Sequence, residues 1–370
     1  MSYNLNIIKR VDIFENKEEI PPLKDERANF FQNKMMKFYK IIKDKENQDT
    51  QIIFMSDNKG SIYIYEINKQ NLTKIGCFDS LCNDSKYILV DIIKSTKFDF
   101  FISLNLNPCL NIFKLKENKD NNQKEIENLY HLNLKQYMKK SKYNKIFELN
   151  TSKKDYLILF SEEKIELWAN NNNKGVINYE RRYILKLNDN NEDINNEIFF
   201  SNKISNICKA NDDKLVLFLK DKLEFINIKI NEDDDISSKI EIENKINIKG
   251  INYQFEKIIS LFIEPNNIFL GLIDTLALVS VPYGEKIQIY KIGKVLHIRK
   301  INDNNDIMVF IETKENEFYF IKYKFDEYNT LKEEKRMKYD KWIYKFDTIQ
   351  NGEIIIIYDI KGFMTLLKFN

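Results

Sequence analysis

Two histidines, four cysteines, an acidic run and a basic run are the residues in this chain whose types could carry chemistry. His131 stands in "LYHLNL" and His297 in "KVLHIRKI", each alternating with apolar neighbours as on one strand face. A Ser-His or Cys-His nucleophile needs a histidine with a positioned partner, and a strand-face histidine usually packs or faces solvent. Cys77, Cys82, Cys109 and Cys208 form no CxxC pair, and no Cys/His spacing suits zinc. Cys77 and Cys82 read as small core or loop residues. "NEDDD" (Asn231–Asp235) resembles a calcium loop in composition but lacks the spaced ligands and closing Glu, so it reads as a solvated loop. "MKKSKYNK" (Met138–Lys145) could touch phosphate, but a solvated surface is the simpler reading. GxGxxG and GxxxxGK[ST] are both absent, so no nucleotide cradle is indicated. The expectation is no catalytic residue, no cofactor, no metal and no small-molecule substrate.

Composition narrows the class further. Lys+Arg 58 against Asp+Glu 56 gives a net charge of +2, with the signs interspersed. No global field points to nucleic acid or to an anionic membrane. Hydrophobic residues at 43% and aromatics at 13% can bury a substantial core. Ile, Lys and Asn are heavily used, so the Asn170–Asn173 run reads as loop filler and Ile richness alone says little about strands. Four scattered cysteines fit a reducing compartment. The N-terminus has no apolar core of signal-peptide length, and no stretch approaches the roughly 20 apolar residues of a membrane span. A soluble, cytoplasmic protein is expected.

The elements that would position any site recur along the chain. "IIFMSDNKGSIYIYEI" from Ile52 is an apolar run, a tight polar turn and a second apolar run. Comparable units start at Phe100, Tyr156, Lys214, Ile268, Ile307 and Ile354, with separations of 48, 56, 58, 54, 39 and 47 residues. The hairpins span about 52–69, 100–117, 156–173, 214–231, 268–284, 307–325 and 354–370. Such spacing is that of a β-propeller, whose four-stranded blades take roughly 40–50 residues. The fold expectation is an all-β, seven-bladed propeller forming one domain over residues 1–370. Two unrelated β-sandwiches would need the recurrence to be chance.

Each gap supplies flanking strands, such as "MKFYKIIKD" and "NLTKIGCFD" around the first hairpin and "YNKIFELN" and "RRYILKLN" around the third. The weakest is "LKEEKRMKY" from Leu331, where "YNTLKEEKRMKYDKW" also reads as a helix; Asn122–Lys145 is a second helical candidate. The seventh hairpin has no strand after it, whereas "NLNIIKRVDIF" (Asn4–Phe14) stands upstream with no sheet of its own. Residues 1–16 are therefore expected to pair with Gly362–Phe369 and complete the last blade. Trp168 is followed by Ala169, and no Gly-His opening occurs, so the WD-repeat tetrad is absent. Apolar packing should dominate. The loops Glu117–Gln123, Asn170–Tyr179, Asn188–Asn196 and Asn231–Ser238 vary in length and would serve protein contacts.

Two segments carry a resemblance. "KRVDIFENKEEI" (residues 9–20) resembles the opening of the N-terminal propeller domain in the class C vacuolar protein-sorting core subunit, the eleventh vacuolar protein-sorting family, of the HOPS and CORVET tethers. "NKGVINYERRYILKL" (Asn173–Leu187) is similar to that family's Gly-x-Ile-x-x-acidic-Arg segment through Gly175, Ile177, Glu180 and Arg181, while Val176 and Tyr179 depart from its usual Asp and Arg. The resemblance implies a non-enzymatic scaffold in vesicle-mediated transport, with other complex subunits as partners and a peripheral position on endosomal or vacuolar membranes. It also implies the propeller part of a longer chain. Alternatives are a propeller scaffold of a ciliary, nuclear-pore or RNA-processing assembly, or an enzyme with a channel-mouth site.

Overall fold

The computed structural model describes residues 6–12, 36–43, 50–57, 60–69, 71–78, 88–118, 124–137, 142–150, 154–161, 164–171, 177–186, 206–209, 214–218, 222–229, 239–247, 261–264, 267–271, 274–280, 286–301, 306–326, 330–343, 345–349, 352–359 and 363–369. These form seven four-stranded antiparallel sheets. After β1 (Asn6–Asp12), the first sheet runs β2 (Met36–Lys43), β3 (Thr50–Asp57), β4 (Ile62–Asn68), β5 (Asn71–Phe78). The second runs β6 (Leu89–Lys94), β7 (Phe101–Asn105), β8 (Cys109–Glu117), β9 (Lys124–Asn133). The third holds β10 (Tyr143–Asn150), β11 (Asp155–Ser161), β12 (Lys164–Asn170) and β13 (Tyr179–Lys186). In the fourth are β14 (Asn206–Lys209), β15 (Lys214–Phe218), β16 (Lys222–Lys229) and β17 (Lys239–Asn247). The fifth comprises β18 (Leu261–Glu264), β19 (Asn267–Gly271), β20 (Thr275–Ser280) and β21 (Lys286–Lys291). The sixth comprises β22 (Lys294–Lys300), β23 (Ile307–Glu312), β24 (Phe318–Phe325) and β25 (Leu331–Tyr339). The last sheet has the order β1-β28-β27-β26, with β26 (Lys345–Ile349), β27 (Ile354–Tyr358) and β28 (Phe363–Lys368).

The predicted pairing of the N-terminus is present: β1 lies antiparallel to β28, from Asn6 opposite Lys368 to Asp12 opposite Phe363. Arg10 fixes this register, with its guanidinium 4.0 Å above the Phe363 ring and 3.4 Å from Asp359. The hairpin at Ile52 also forms as predicted. Gly60 has φ 92°, which a side chain would strain, and Asp57 Oδ1 accepts the Ser61 amide at 2.9 Å.

Both helical candidates fold as strands. Within Asn122–Lys145, β9 pairs with β8 along its length, and among the described residues the helical part is a short 3-10 turn at Lys135–Tyr137. β25 pairs with β24 from Leu331 opposite Phe325 to Tyr339 opposite Phe318, burying Leu331 and Met337. Its charges are neutralised by neighbours: Glu333 by Arg336, Lys332 by Asp326, and Glu334 by Lys322 and Lys324. A charged outer strand resists edge-to-edge pairing, which is why apolar content there is low.

The chain divides into two compact units, Met36–Lys245 and Met1–Met35 with Ile246–Asn370. In each, period-two alternation sends successive side chains to opposite sheet faces. In the Met36–Lys245 unit, Phe101 and Phe113 of the second sheet join Phe54, Ile62 and Ile64 of the first. Ile102, Leu104 and Ile112 of the second join Leu157, Leu159 and Trp168 of the third. In the other unit, Phe269 and Leu278 of the fifth sheet pack on Val295 and Val309 of the sixth, while Phe310 and Phe320 pack on Phe346 and Ile355 of the last. Second strands are sandwiched and therefore mainly apolar: β7, β11, β23 and β27 are buried throughout.

Candidate functional site

Apolar packing does not act alone in the Met36–Lys245 unit. Polar side chains tie its first three sheets together. Lys40 Nζ on β2 donates to Asp91 Oδ1 on β6 at 2.6 Å, and Asp91 Oδ2 accepts the Ile146 amide of β10 at 3.1 Å. Glu148 on β10 accepts the Ser95 hydroxyl (2.6 Å), the Thr96 amide (2.6 Å) and the Thr96 hydroxyl (3.0 Å). Ser95 Oγ in turn accepts the amides of Lys97 (3.3 Å) and Phe98 (3.2 Å), folding the turn between β6 and β7.

The third sheet holds a buried network that the missing WD-repeat tetrad gave no reason to expect. Glu166, 0% exposed, receives Tyr143 Oη at 2.5 Å, Lys164 Nζ at 2.7 Å, Trp168 Nε1 at 3.0 Å and Arg181 Nη1 at 3.4 Å. The Arg181 guanidinium also lies 4.6 Å over the Tyr137 ring, which meets Trp168 edge-on. Burial, reinforced by Glu166, pushes the Tyr143 hydroxyl well above its ordinary pKa. Such an arrangement is a satisfied buried ion pair, which specifies a packing more than it performs chemistry.

His131 is exposed on β9 opposite Asn111, with Nδ1 2.6 Å from Asn111 Oδ1. Buried Cys109 lies beside it in sequence register, accepting from Asn105 Nδ2 (3.4 Å) and Asn111 Nδ2 (3.7 Å). Among the described residues, Ser103 Oγ and Asn105 Oδ1 on this same face are buried without a hydrogen-bond partner. His297 is half-buried on β22 against the Phe310 and Phe346 rings. Cys77 is exposed, Cys208 lies on β14, and Cys82 lies outside the described residues. Asn231–Asp235, residues 138–141 and 172–176, and most of the four loops expected to make contacts lie outside them too. Among the described residues, no three His, Cys, Asp or Glu side chains are placed to hold a metal ion.

Among the described residues, one surface feature with a defined shape is an open cleft of about 680 Å³ between the first and second sheets. Core side chains Ile42, Ile52 and Phe101 floor it, with half-buried Ile93 and Leu115 beside them. Phe98, 37% exposed and stacked on Phe100, stands on the turn that forms one wall. Lys40, Lys94, Lys97 and Lys124 surround this floor. Lys97 pairs with Asp155 at 3.0 Å, whereas Lys94 to Asp99 and Lys124 to Glu66 are each 3.7 Å apart. The sequence could not nominate this cleft, because its lining comes from the ends of β2, β3, β6, β7, β8 and β9.

No protein-family model matches the chain, and no curated protein matches it by sequence. Solved structures match it in fold. The WD40 domain of Neurospora crassa Pan2 aligns with a TM-score of 0.59 at 10% identity, covering 98% of this chain and 95% of that one. Chaetomium thermophilum Sqt1, solved bound to the N-terminus of ribosomal protein L10, aligns at 0.57 and 9% identity, covering 89% and 96%. A chain of the mitotic checkpoint complex aligns at 0.52 and 8% identity, covering 86% and 83%. This all-β chain therefore has the fold of the WD40-type β-propellers.

Proposed function

We propose that this chain is a non-enzymatic protein-interaction scaffold, a single propeller over residues 1–370. The observation that carries the reading is the cleft between the first two sheets, an apolar floor held open by sheets that are tied to one another. Support comes from Sqt1, a chain of similar fold that was solved bound to the N-terminal segment of another protein. The mitotic checkpoint complex adds a chain of similar fold within a multiprotein assembly.

The finer reading is the propeller of an endolysosomal tethering-complex subunit, cytoplasmic and peripheral to endosomal or vacuolar membranes. It rests on the resemblance over residues 9–20 and 173–187. Arg181, one of the matching residues, closes on the buried Glu166, so its identity matters to the fold here. Affinity purification of the full-length protein from its own cells tests both levels. Recovery of the other class C tether subunits in comparable amounts is expected. Recovery instead of a ciliary, nuclear-pore or RNA-processing set would move the scaffold to that assembly, and a monomer with no stoichiometric partner would count against a scaffold.

A further inference from the structure

We infer that the cleft between the first and second sheets is a docking site for an acidic segment of a partner protein, seated by an apolar side chain among the lysines. The inference rests on the scaffold reading and names the chemistry of the partner. Four ammonium groups line the cleft, against the single carboxylate of Asp99. The carboxylates that balance two of them stand behind: Asp91 and Asp155 are 12% and 7% exposed, whereas their partners Lys40 and Lys97 are 34% and 42% exposed. Solvent in the cleft thus meets the cationic end of each pair. Lys124 lies 3.7 Å from Glu66, beyond the roughly 2.7–2.9 Å of a charge-assisted hydrogen bond, and Lys94 lies 3.7 Å from Asp99. Asp99, 85% exposed, can swing into water as an incoming carboxylate takes its place.

The floor decides between classes of anion. A phosphate group would satisfy the lysines but leave the surface of Ile93, Leu115 and Phe98 wet. A leucine or phenylalanine flanked by Asp or Glu covers that surface and places carboxylates at the rim. The lysine head groups surround the floor without a converging arginine fork, the arrangement that favours planar bidentate capture of phosphate. A volume of about 680 Å³ lies within the roughly 300–1,000 Å³ of pockets that enclose a drug-sized ligand.

Fluorescence anisotropy on the full chain tests this with a labelled glutamate-rich peptide carrying a central Phe-Leu pair. Saturable binding that weakens as salt is raised is expected. Replacing its glutamates by glutamine, or its Phe-Leu pair by serines, should each weaken binding about tenfold or more. Joint reversal of Lys94→Glu and Lys124→Glu should weaken it about tenfold, and Phe98→Ala severalfold, with melting temperatures unchanged. The peptide-side changes keep the test valid if a protein variant misfolds. Equal binding of the glutamine peptide, or indifference to the lysine reversals in folded protein, would overturn the inference. So would displacement of the peptide by inorganic phosphate beyond that by chloride at equal ionic strength, or binding only to phosphatidylserine vesicles. If no peptide binds while a stoichiometric partner co-purifies, the cleft assignment falls and the scaffold reading stands. The peptide bound as described without a co-purifying partner leaves the cleft assignment standing alone.

Discussion

Replacing Glu166 by glutamine tests whether the buried network of the third sheet stabilises the fold. The carboxylate collects four donors, from Tyr143, Lys164, Trp168 and Arg181. Glutamine keeps the volume and one acceptor. It turns the other oxygen into a donor that faces these donors, and it removes the charge. Lys164, with a side chain 12% exposed, then keeps only the Tyr137 carbonyl and the Tyr143 hydroxyl. Breaking a buried pair costs about 3–5 kcal/mol. The partners left to Lys164 and the 30% exposure of Arg181 put the loss near the lower end, ~3 kcal/mol. At ~2–4 °C per kcal/mol for a folding unit of this size, Tm should fall by roughly 6–12 °C. Denaturant unfolding followed by tryptophan fluorescence measures it, since Trp168 sits inside the network. A double-mutant cycle with Lys164→Met should return a coupling of about 1 kcal/mol or more. A Glu166→Gln protein within about 0.5 kcal/mol of wild type, or a cycle with no coupling, would refute the assigned role.

Other expectations follow from single contacts. Deleting residues 1–16 removes β1 and leaves the β28 edge unpaired; with about 1 kcal/mol per ladder hydrogen bond, roughly 3–6 kcal/mol should be lost, and an unchanged melt would sink this assignment. In Gly271→Ala the new Cβ would stand 2.6 Å from Val295 Cγ1, so overpacking should cost about 1–3 kcal/mol, much of it restored by adding Val295→Ala. Burial first, then Asp57, pushes Tyr63 up to about 12, and burial does the same for Tyr339. The folded chain therefore holds protons that the unfolded chain releases from pH 10.0, the ordinary value. The stability these tyrosines contribute is whole below pH 10.0 and lost as the pH rises through about 12, and ultraviolet titration should show a late phenolate class. Ionisation of every tyrosine near the ordinary value in folded protein would contradict this.

Strand positions were legible because each hairpin repeats a local pattern: apolar runs mark buried second strands, and Gly60 marks a turn that needs positive φ. The helical signals in Asn122–Lys145 and around β25 competed with the strand reading of the same segments and lost to it for a related reason. Both lie on outer strands, where one-sided burial leaves composition free, and ladder pairing with β8 and β24 overrides propensity. The network at Glu166 was half legible. Lys164, Glu166 and Trp168 occupy alternate positions of one strand, so an acid, a base and an indole share a face. Tyr143 and Arg181 arrive from β10 and β13, 21 residues before Lys164 and 15 after Glu166, and no local pattern announces them. Only three-dimensional packing brings the ends of six strands around the cleft.

Glu148 makes the link between that packing and the cleft. It lines no part of the cleft, yet it holds Ser95 and Thr96, which do, by a buried carboxylate at 2.6 Å from each. Ser95 in turn fixes the amides of Lys97 and Phe98, and Lys97 is anchored to Asp155 of the third sheet. The wall that carries the exposed phenylalanine is thus fastened to the sheet behind it, and a docking segment meets a surface already ordered. Preorganisation of this kind lowers the entropy lost on binding and shows mainly as slower dissociation. Glu148→Gln should therefore speed release of the Phe-Leu peptide severalfold, while leaving its dependence on salt and on Lys124 intact. Stopped-flow displacement separates the two effects. If release is unchanged while unfolding free energy falls, Glu148 serves the sheets alone and the wall is held without it.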